Sequence, residues 1–314
     1  MNKAAIEREW KNLNPNTRRE YVEASRNFEV IDGKAYTPDG RNVDHLIDVG
    51  PKVAKPAYSP KQKESAEAIA ELAEHEQEHG GFVFAFFHAA KTMEEQFPDL
   101  TQSDLARLMF VGTYIAWETG QLKYDNGVPI DKKGLAKLLE TSRPTFNAFY
   151  KAMLAGGILA EEEGGLYMNP AIFYRGNLKK VRKELGDVQY TRLFRKTVRE
   201  LYAKYNGRTI KQLALIYAVL PFVNFNYNVV CFNPEESNKD LVRPMKLENL
   251  AALLGYKDAQ KLVTALRKIK YNGKSVFGLV ETEKDKRARK VVISTSVIFA
   301  GDGKYLAAID VLFN

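Results

Sequence analysis

At 314 residues with 45% hydrophobic side chains, the chain is long enough for two cores, and its formal net charge of +8 favours a polyanionic partner. The excess is local: residues 175–314 carry 27 basic against 13 acidic side chains, whereas residues 1–174 carry 20 against 26. Cys231 is the single cysteine, which excludes an intramolecular disulfide, a CxxC redox pair and a multi-cysteine zinc site and points to the cytoplasm. The opening MNKAAIEREWKNLN lacks the apolar core of a signal peptide, so no export is expected.

Residues 1–59 read as an arm: two short polar helical runs, then a Gly-, Pro- and Asp-punctuated stretch in which Val30, Ala35 and Tyr36 suit a small hairpin. Ser59-Pro60 opens a charged helix that Gly80-Gly81 stops, with Ala68, Ile69, Leu72 and Ala73 expected on its apolar face. FVFAFFHAAKTMEEQF, from Phe82, reads as an apolar helix, and Thr101 or Ser103 caps the next, DLARLMFVGTYIAWE. A tight turn at Tyr124–Gly127 follows, then the short amphipathic helix DKKGLAKLLE. Thr141-Ser142 is a turn and cap for RPTFNAFYKAMLAGG, and ILAEEEGGLYMNP forms two strands about a Gly-Gly turn. Leu213–Val230 is about as long as a membrane span, but Pro221, Asn224, Asn226 and Asn228 interrupt it, so a buried helix and then a strand are expected.

Core helices, a short helix, a sharp turn, a second helix and a hairpin form the order of a winged helix-turn-helix. The order recurs. A shift of 105 places Leu105, Leu108, Phe110, Val111 and Ile115 on Ile210, Leu213, Leu215, Ile216 and Leu220; a shift of 115 places GLAKLLE on NLAALLG, leaving an insertion of about ten residues between. The hairpin ends match as Ile172-Phe173 on Ile298-Phe299. The expected fold is mainly α, of the α+β type: an arm and charged helix over 1–80, a first winged helix over 81–178, and a basic connector helix with a second winged helix over 179–314.

The helix-turn-helix from Asp131 to Gly157 and the hairpin end LYMNPAIFYRG resemble replication proteins of L-type Firmicute plasmids and related phage proteins described as MarR-like regulators. The resemblance covers a fifth to a third of the chain and implies duplex DNA binding in a mobile genetic element.

In the first unit the expected DNA contacts are Thr141, Ser142, Arg143, Thr145, Asn147 and Lys151, in the turn and on the polar side of the second helix, where Arg suits guanine, Asn adenine, and Ser or Thr phosphate. Their equivalents in the second unit are Lys257, Asp258, Gln260, Lys261, Thr264, Arg267 and Lys268, a more basic set. The second hairpin adds Lys284, Lys286, Arg287, Arg289 and Lys290, partly offset by Glu281, Glu283 and Asp285. Between the units Arg175, Lys179, Lys180, Arg182 and Lys183 lead to Arg192, Arg195, Lys196 and Arg199, whose spacing suits one phosphate-facing helix side.

His75-Glu76-Gln77-Glu78-His79 matches two zinc-protease spacings, yet the helix is charged on most sides and His88 is the sole later histidine, so no metal site is expected. No phosphate loop, nucleophile elbow or dinucleotide fingerprint occurs, so neither an enzyme nor a cofactor is expected. Three functions compete: a sequence-specific transcription regulator binding double-stranded DNA, a replication initiator binding origin repeats, and a protein-binding adaptor. Exposure of Phe82–Phe87 would favour the adaptor or a homo-oligomer; no membrane partner is expected.

Overall fold

The computed structural model describes residues 14–43, 60–88, 91–185, 188–282 and 285–313. The first expected helical run of the arm lies outside them. The chain divides into two compact units, residues 1–63 and 64–314.

In the first unit α1 (Pro15–Arg26) starts on Pro15, with the Asn14 side chain accepting from Asn16 N at 3.0 Å. The expected hairpin is present as β1 (Glu29–Ile31) and β2 (Lys34–Tyr36), turning through Asp32 and Gly33 at positive φ, and it buries Ala35 and Val43.

The second unit is of mixed α+β type. Its leading helix α2 (Pro60–Glu78) is stopped at Gly80-Gly81 as the sequence requires, but it buries Leu72 and His75, with His79 buried in the turn that follows, while Ile69 stays exposed. The expected apolar face is thus rotated. Two imidazoles can be buried when their ring nitrogens are bonded: His75 Nε2 lies 3.0 Å from Thr295 O and His79 Nδ1 lies 2.9 Å from His75 O. The rings stack at 4.3 Å and pack on Phe194.

The next element corrects the sequence reading. Phe82–Phe87, expected as a helix, is a strand, β3. A six-residue apolar run has no period to separate helix from strand; its aromatic content and the glycine pair before it were the usable signals. After it come α3 (Met93–Gln96) and α4 (Gln102–Gly112), both opened by capping boxes, Thr92 with Glu95 and Thr101 with Asp104. Then follow α5 (Lys132–Leu139), α6 (Arg143–Ala155), the hairpin β4 (Leu159–Glu162) and β5 (Gly165–Met168), and β6 (Phe173–Tyr174). The second half runs α7 (Leu178–Leu185), β7 (Gln189–Phe194), α8 (Arg195–Tyr205), a 3-10 turn at Ile210–Gln212, α9 (Ala214–Ala218) and a 3-10 turn at Leu220–Phe222. It continues with α10 (Leu247–Leu253), α11 (Ala259–Lys268), the short ladder β8 (Lys270–Tyr271) and β9 (Lys274–Ser275), the hairpin β10 (Phe277–Thr282) and β11 (Asp285–Ile293), β12 (Ile298–Phe299) and α12 (Leu306–Asp310).

Both halves meet in one four-stranded antiparallel sheet of order β12-β7-β3-β6. Its centre pairs Phe82 with Phe194 through Phe87 with Gln189; its edges pair Phe84 with Tyr174, Ala85 with Phe173, Leu193 with Ile298 and Arg192 with Phe299. Side chains alternate between faces. Val83, Ala85, Phe87, Phe173, Leu193 and Ile298 enter the main core with the helices of both halves, where α4 packs on α8, on the 3-10 turn at Ile210–Gln212 and on α9. On the other face α7 covers Phe84, Phe86 and Tyr174 through Val181, and α2 covers Phe194 and Phe299 through Leu72, with Leu306 and Ile309 of α12 beside it. Val83–Phe87 is therefore interior and Phe82 half-buried, so the run offers little surface to a second copy or an adaptor partner.

The Leu213–Val230 stretch is a short helix and turns, not a span, and among the described residues no helix is long and apolar enough to cross a membrane. Its asparagines shape the chain: Asn224 Oδ1 accepts from Asn226 N and Tyr227 N at 3.0 Å each, and Asn228, at φ 50°, donates to Ile293 O and Ile298 O.

Candidate nucleic-acid interface

The α5–α6 pair is built from local signals. Asp131 accepts from Gly134 N at 2.7 Å to start α5; Glu140 adopts a left-handed conformation that ends it; Ser142 accepts from Thr145 N and starts α6. Helix α6 buries Phe146, Phe149, Tyr150 and Met153 and presents Arg143, Asn147 and Lys151 to solvent at four-residue spacing. Ser142 and Thr145 are engaged with each other, Oγ to Oγ1 at 2.8 Å, so their hydroxyls serve the cap. Thr141 is half-buried in the turn.

In the second pair Asp258, expected among the contacts, accepts from Lys261 N at 2.8 Å and caps α11. Helix α11 buries Leu262, Val263 and Leu266, and the exposed side chains are Lys257, Gln260, Lys261, Thr264, Arg267 and Lys268. The Thr264 hydroxyl donates to Gln260 O at 2.8 Å. Among the described residues none pairs with the side chains of Arg143, Asn147, Lys151, Lys257, Lys261, Arg267 or Lys268.

Helix α8 ties both pairs down. The Tyr202 hydroxyl and Asn206 Nδ2 donate to Leu139 O, the last carbonyl of α5, at 2.9 and 3.1 Å. Three residues along α8 from Tyr202, the Tyr205 hydroxyl donates to Lys268 O at 2.7 Å and accepts from Lys270 N at 2.8 Å, at the end of α11. One helical turn thereby holds both exposed stripes.

The hairpins differ in charge. The β4–β5 tip carries Glu161, Glu162 and Glu163 in exposed positions, and Tyr150 donates to Glu161 at 3.0 Å; burial, then that carboxylate, pushes the Tyr150 hydroxyl up to about 12. Its Gly164 carbonyl accepts from Gln121 Nε2 at 2.8 Å. In β10–β11, Arg289 faces Glu281 across the ladder at 3.4 Å and Lys290 is half-buried. Lys284 and Glu283 lie outside the described residues, as do the side chains of Lys286 and Arg287.

The connector is corrected most. Gln189–Phe194 is a strand, so the basic residues expected on one helix face split between β7 and α8, and most turn inward. Arg192 lies 3.2 Å from Glu76 and donates to Ala300 O and Gly301 O. Arg195 and Arg199 grip the Asp125 carboxylate at 2.9 and 2.7 Å and the Thr113 carbonyl at 2.8 Å each, and Arg199 stacks on Tyr114 at 3.7 Å. Burial pushes the Asp125 carboxyl up, but the combined pull of Arg199 and Arg195 outweighs it and holds the group below the usual carboxylate range. Burial, with Arg199 and Arg175 beside it, brings the Arg195 guanidinium down to about 10. These arginines weld the halves together. Lys196 and Lys179 are exposed, Lys180 pairs with Glu118 at 2.6 Å, and the side chains of Arg182 and Lys183 lie outside the described residues.

At His75 and His79 no group of three His, Cys, Asp or Glu among the described residues is arranged to hold a metal ion. Burial pulls His79 below its ordinary value. Cys231 is free and buried, which pushes its thiol up to about 11. In comparison with known proteins, the chain matches no family model, no curated protein and no solved structure.

Proposed function

We propose that the chain is a sequence-specific duplex-DNA-binding protein built from tandem winged helix-turn-helix units, α5–α6 with β4–β5 and α10–α11 with β10–β11, and that it regulates transcription in a phage or plasmid. The observation that carries this reading is the pair of exposed polar and cationic stripes on α6 and α11. Each lies opposite a buried apolar stripe and follows a capped turn, and among the described residues none pairs with the side chains of Arg143, Asn147, Lys151, Lys261, Arg267 or Lys268.

The sheet supports the tandem arrangement. Laying the ladder Phe84–Tyr174, Ala85–Phe173 over Arg192–Phe299, Leu193–Ile298 matches β3 to β7 and β6 to β12. It puts Phe173 on Ile298, one residue away from the Ile172-Phe173 match expected from sequence. The change has a physical reason: a one-residue slip would send a core side chain to the other face, and Phe173 and Ile298 both face the main core. The leading helices then correspond too, α2 before β3 and α7 before β7, so the expected basic connector is the counterpart of the charged helix.

The inequality of the two units, one hairpin acidic and one helix strongly basic, favours replication initiation as the second reading, since unequal units suit a long composite site. Binding of the purified chain to DNA flanking its own coding region, against an unrelated duplex over a salt series, tests the proposal. The flanking duplex is expected to bind roughly a thousandfold more tightly, with both affinities falling as salt rises; equal or absent binding overturns it. The position of the protected sequence, at a promoter or in an array of repeats, separates the two biological roles.

A further inference from the structure

From the geometry of the central sheet we infer that a single chain reads an inverted pair of half-sites, an imperfect palindrome, with α6 on one arm and α11 on the other; this rests on the DNA-binding proposal above. Two antiparallel neighbours in a sheet are related by a twofold axis perpendicular to the sheet, which exchanges the strands and keeps each face. Strands β3 and β7 are such neighbours. The match of β3 to β7 and β6 to β12 obeys that axis: Ala85 goes to Leu193 and Phe173 to Ile298 on the core face, Phe84 to Arg192 and Tyr174 to Phe299 on the other.

The covering helices obey it as well. Helix α2, which leads into β3, lies over Phe194 and Phe299 of the second half, and α7, which leads into β7, lies over Phe84, Phe86 and Tyr174 of the first. Each half lends its leading helix to the other, as an axis between β3 and β7 demands. Both helix-turn-helix pairs pack into the main core, on one side of the sheet, through Leu135, Phe146 and Phe149 in one half and Leu250, Leu262 and Leu266 in the other.

Units related by a twofold axis meet a duplex in opposite senses, which is why symmetric helix-turn-helix dimers bind palindromes. Here both units belong to one chain, so the palindrome needs no dimer. Their spacing is held by bonds: Tyr202 and Asn206 to Leu139 O, and Tyr205 to Lys268 O, from the same turn of α8. Because Arg143, Asn147 and Lys151 on one arm answer Lys257, Gln260, Lys261, Thr264, Arg267 and Lys268 on the other, the arms differ in sequence and the palindrome is imperfect.

The test is selection by the full-length chain from a randomised duplex library, followed by the mass of the complex on the enriched duplex. Two arms of opposite sense, one chain per duplex, and a loss of at least roughly tenfold in affinity when one arm is reversed in place are expected. Arg143→Ala with Asn147→Ala should relax one arm, and Lys261→Ala with Arg267→Ala the other. Arms in the same sense, a single arm, or two chains on one palindrome overturn the inference while DNA binding stands. Failure to enrich any duplex at low salt overturns the DNA-binding proposal itself, and the inverted site falls with it.

Discussion

Arg195 and Arg199 show how the same side chain reads differently once its neighbours are known. Their four-residue spacing suits a phosphate-facing stripe, yet both close on Asp125, which lies in a turn far away in sequence. Asp125→Asn should destabilise the fold by about 1–2 kcal/mol in urea denaturation, at the low end for a pair with buried arginines because the carboxylate is two-thirds exposed. Its folded-state pKa lies below the ordinary 3.8, so its contribution is present above that value and is lost as pH falls through the lowered one. The gap between wild type and Asp125→Asn should therefore close in acid; a gap that is constant with pH contradicts the clamp. Arg143 and Lys261, with no side-chain partner among the described residues, are expected to behave oppositely. Arg143→Ala is expected to cost about 1–3 kcal/mol on a preferred duplex and to relax its sequence, and Lys261→Ala to weaken all duplexes and lower the salt slope by about one, with little change in unfolding midpoint. The two exposed stripes were legible because a helix repeats its face locally; His75 and His79 were not, because their burial depends on Thr295 and Phe194, which no local pattern announces.

At the scale of elements, the caps at Thr101 and Ser142 were legible and the sheet was not; Asp258, expected as a DNA contact, caps α11 instead. Thr101 and Ser142 sit next to the helices they start, so sequence carries their signal. Strand β3 finds its partner only when β7 arrives, and a continuous apolar run conceals its period. The sheet's seat on α4 makes a direct prediction. A Cβ on Gly112 would lie 2.9 Å from the Phe173 ring, which is itself stacked against Tyr217 at 5.7 Å. Gly112→Ala should lower stability by about 1–3 kcal/mol, since the ring cannot retreat; an unchanged denaturation midpoint would show that β6 is loosely held. The acidic hairpin makes another. Glu162→Gln with Glu163→Gln should strengthen duplex binding severalfold at low salt and less at high salt. No change would place the β4–β5 tip away from the phosphates.

Across the whole molecule, composition located the positive excess correctly in the second half but could not say which cations are free. Folding uses Arg192, Arg195 and Arg199 for internal bonds and leaves the lysines and Arg267 of α11 in solvent. The footprint we propose is therefore narrower than the charge count implies, with α11 offering more free cations than α6. The repeat we propose rests on the apolar phase of the helices, and the strand pairing shifts its match at the hairpin end by one residue, because pairing fixes which side chain faces the core. In the function we propose, α6 and α11 both touch DNA. Its most direct test is duplex affinity across a salt series for four proteins: wild type, Arg143→Ala with Asn147→Ala, Lys261→Ala with Arg267→Ala, and all four changes together. Partial loss is expected in each pair, larger for the α11 pair, with loss of sequence preference in the combined variant while its unfolding midpoint stays that of wild type. A combined variant that binds its duplex as wild type does would contradict it.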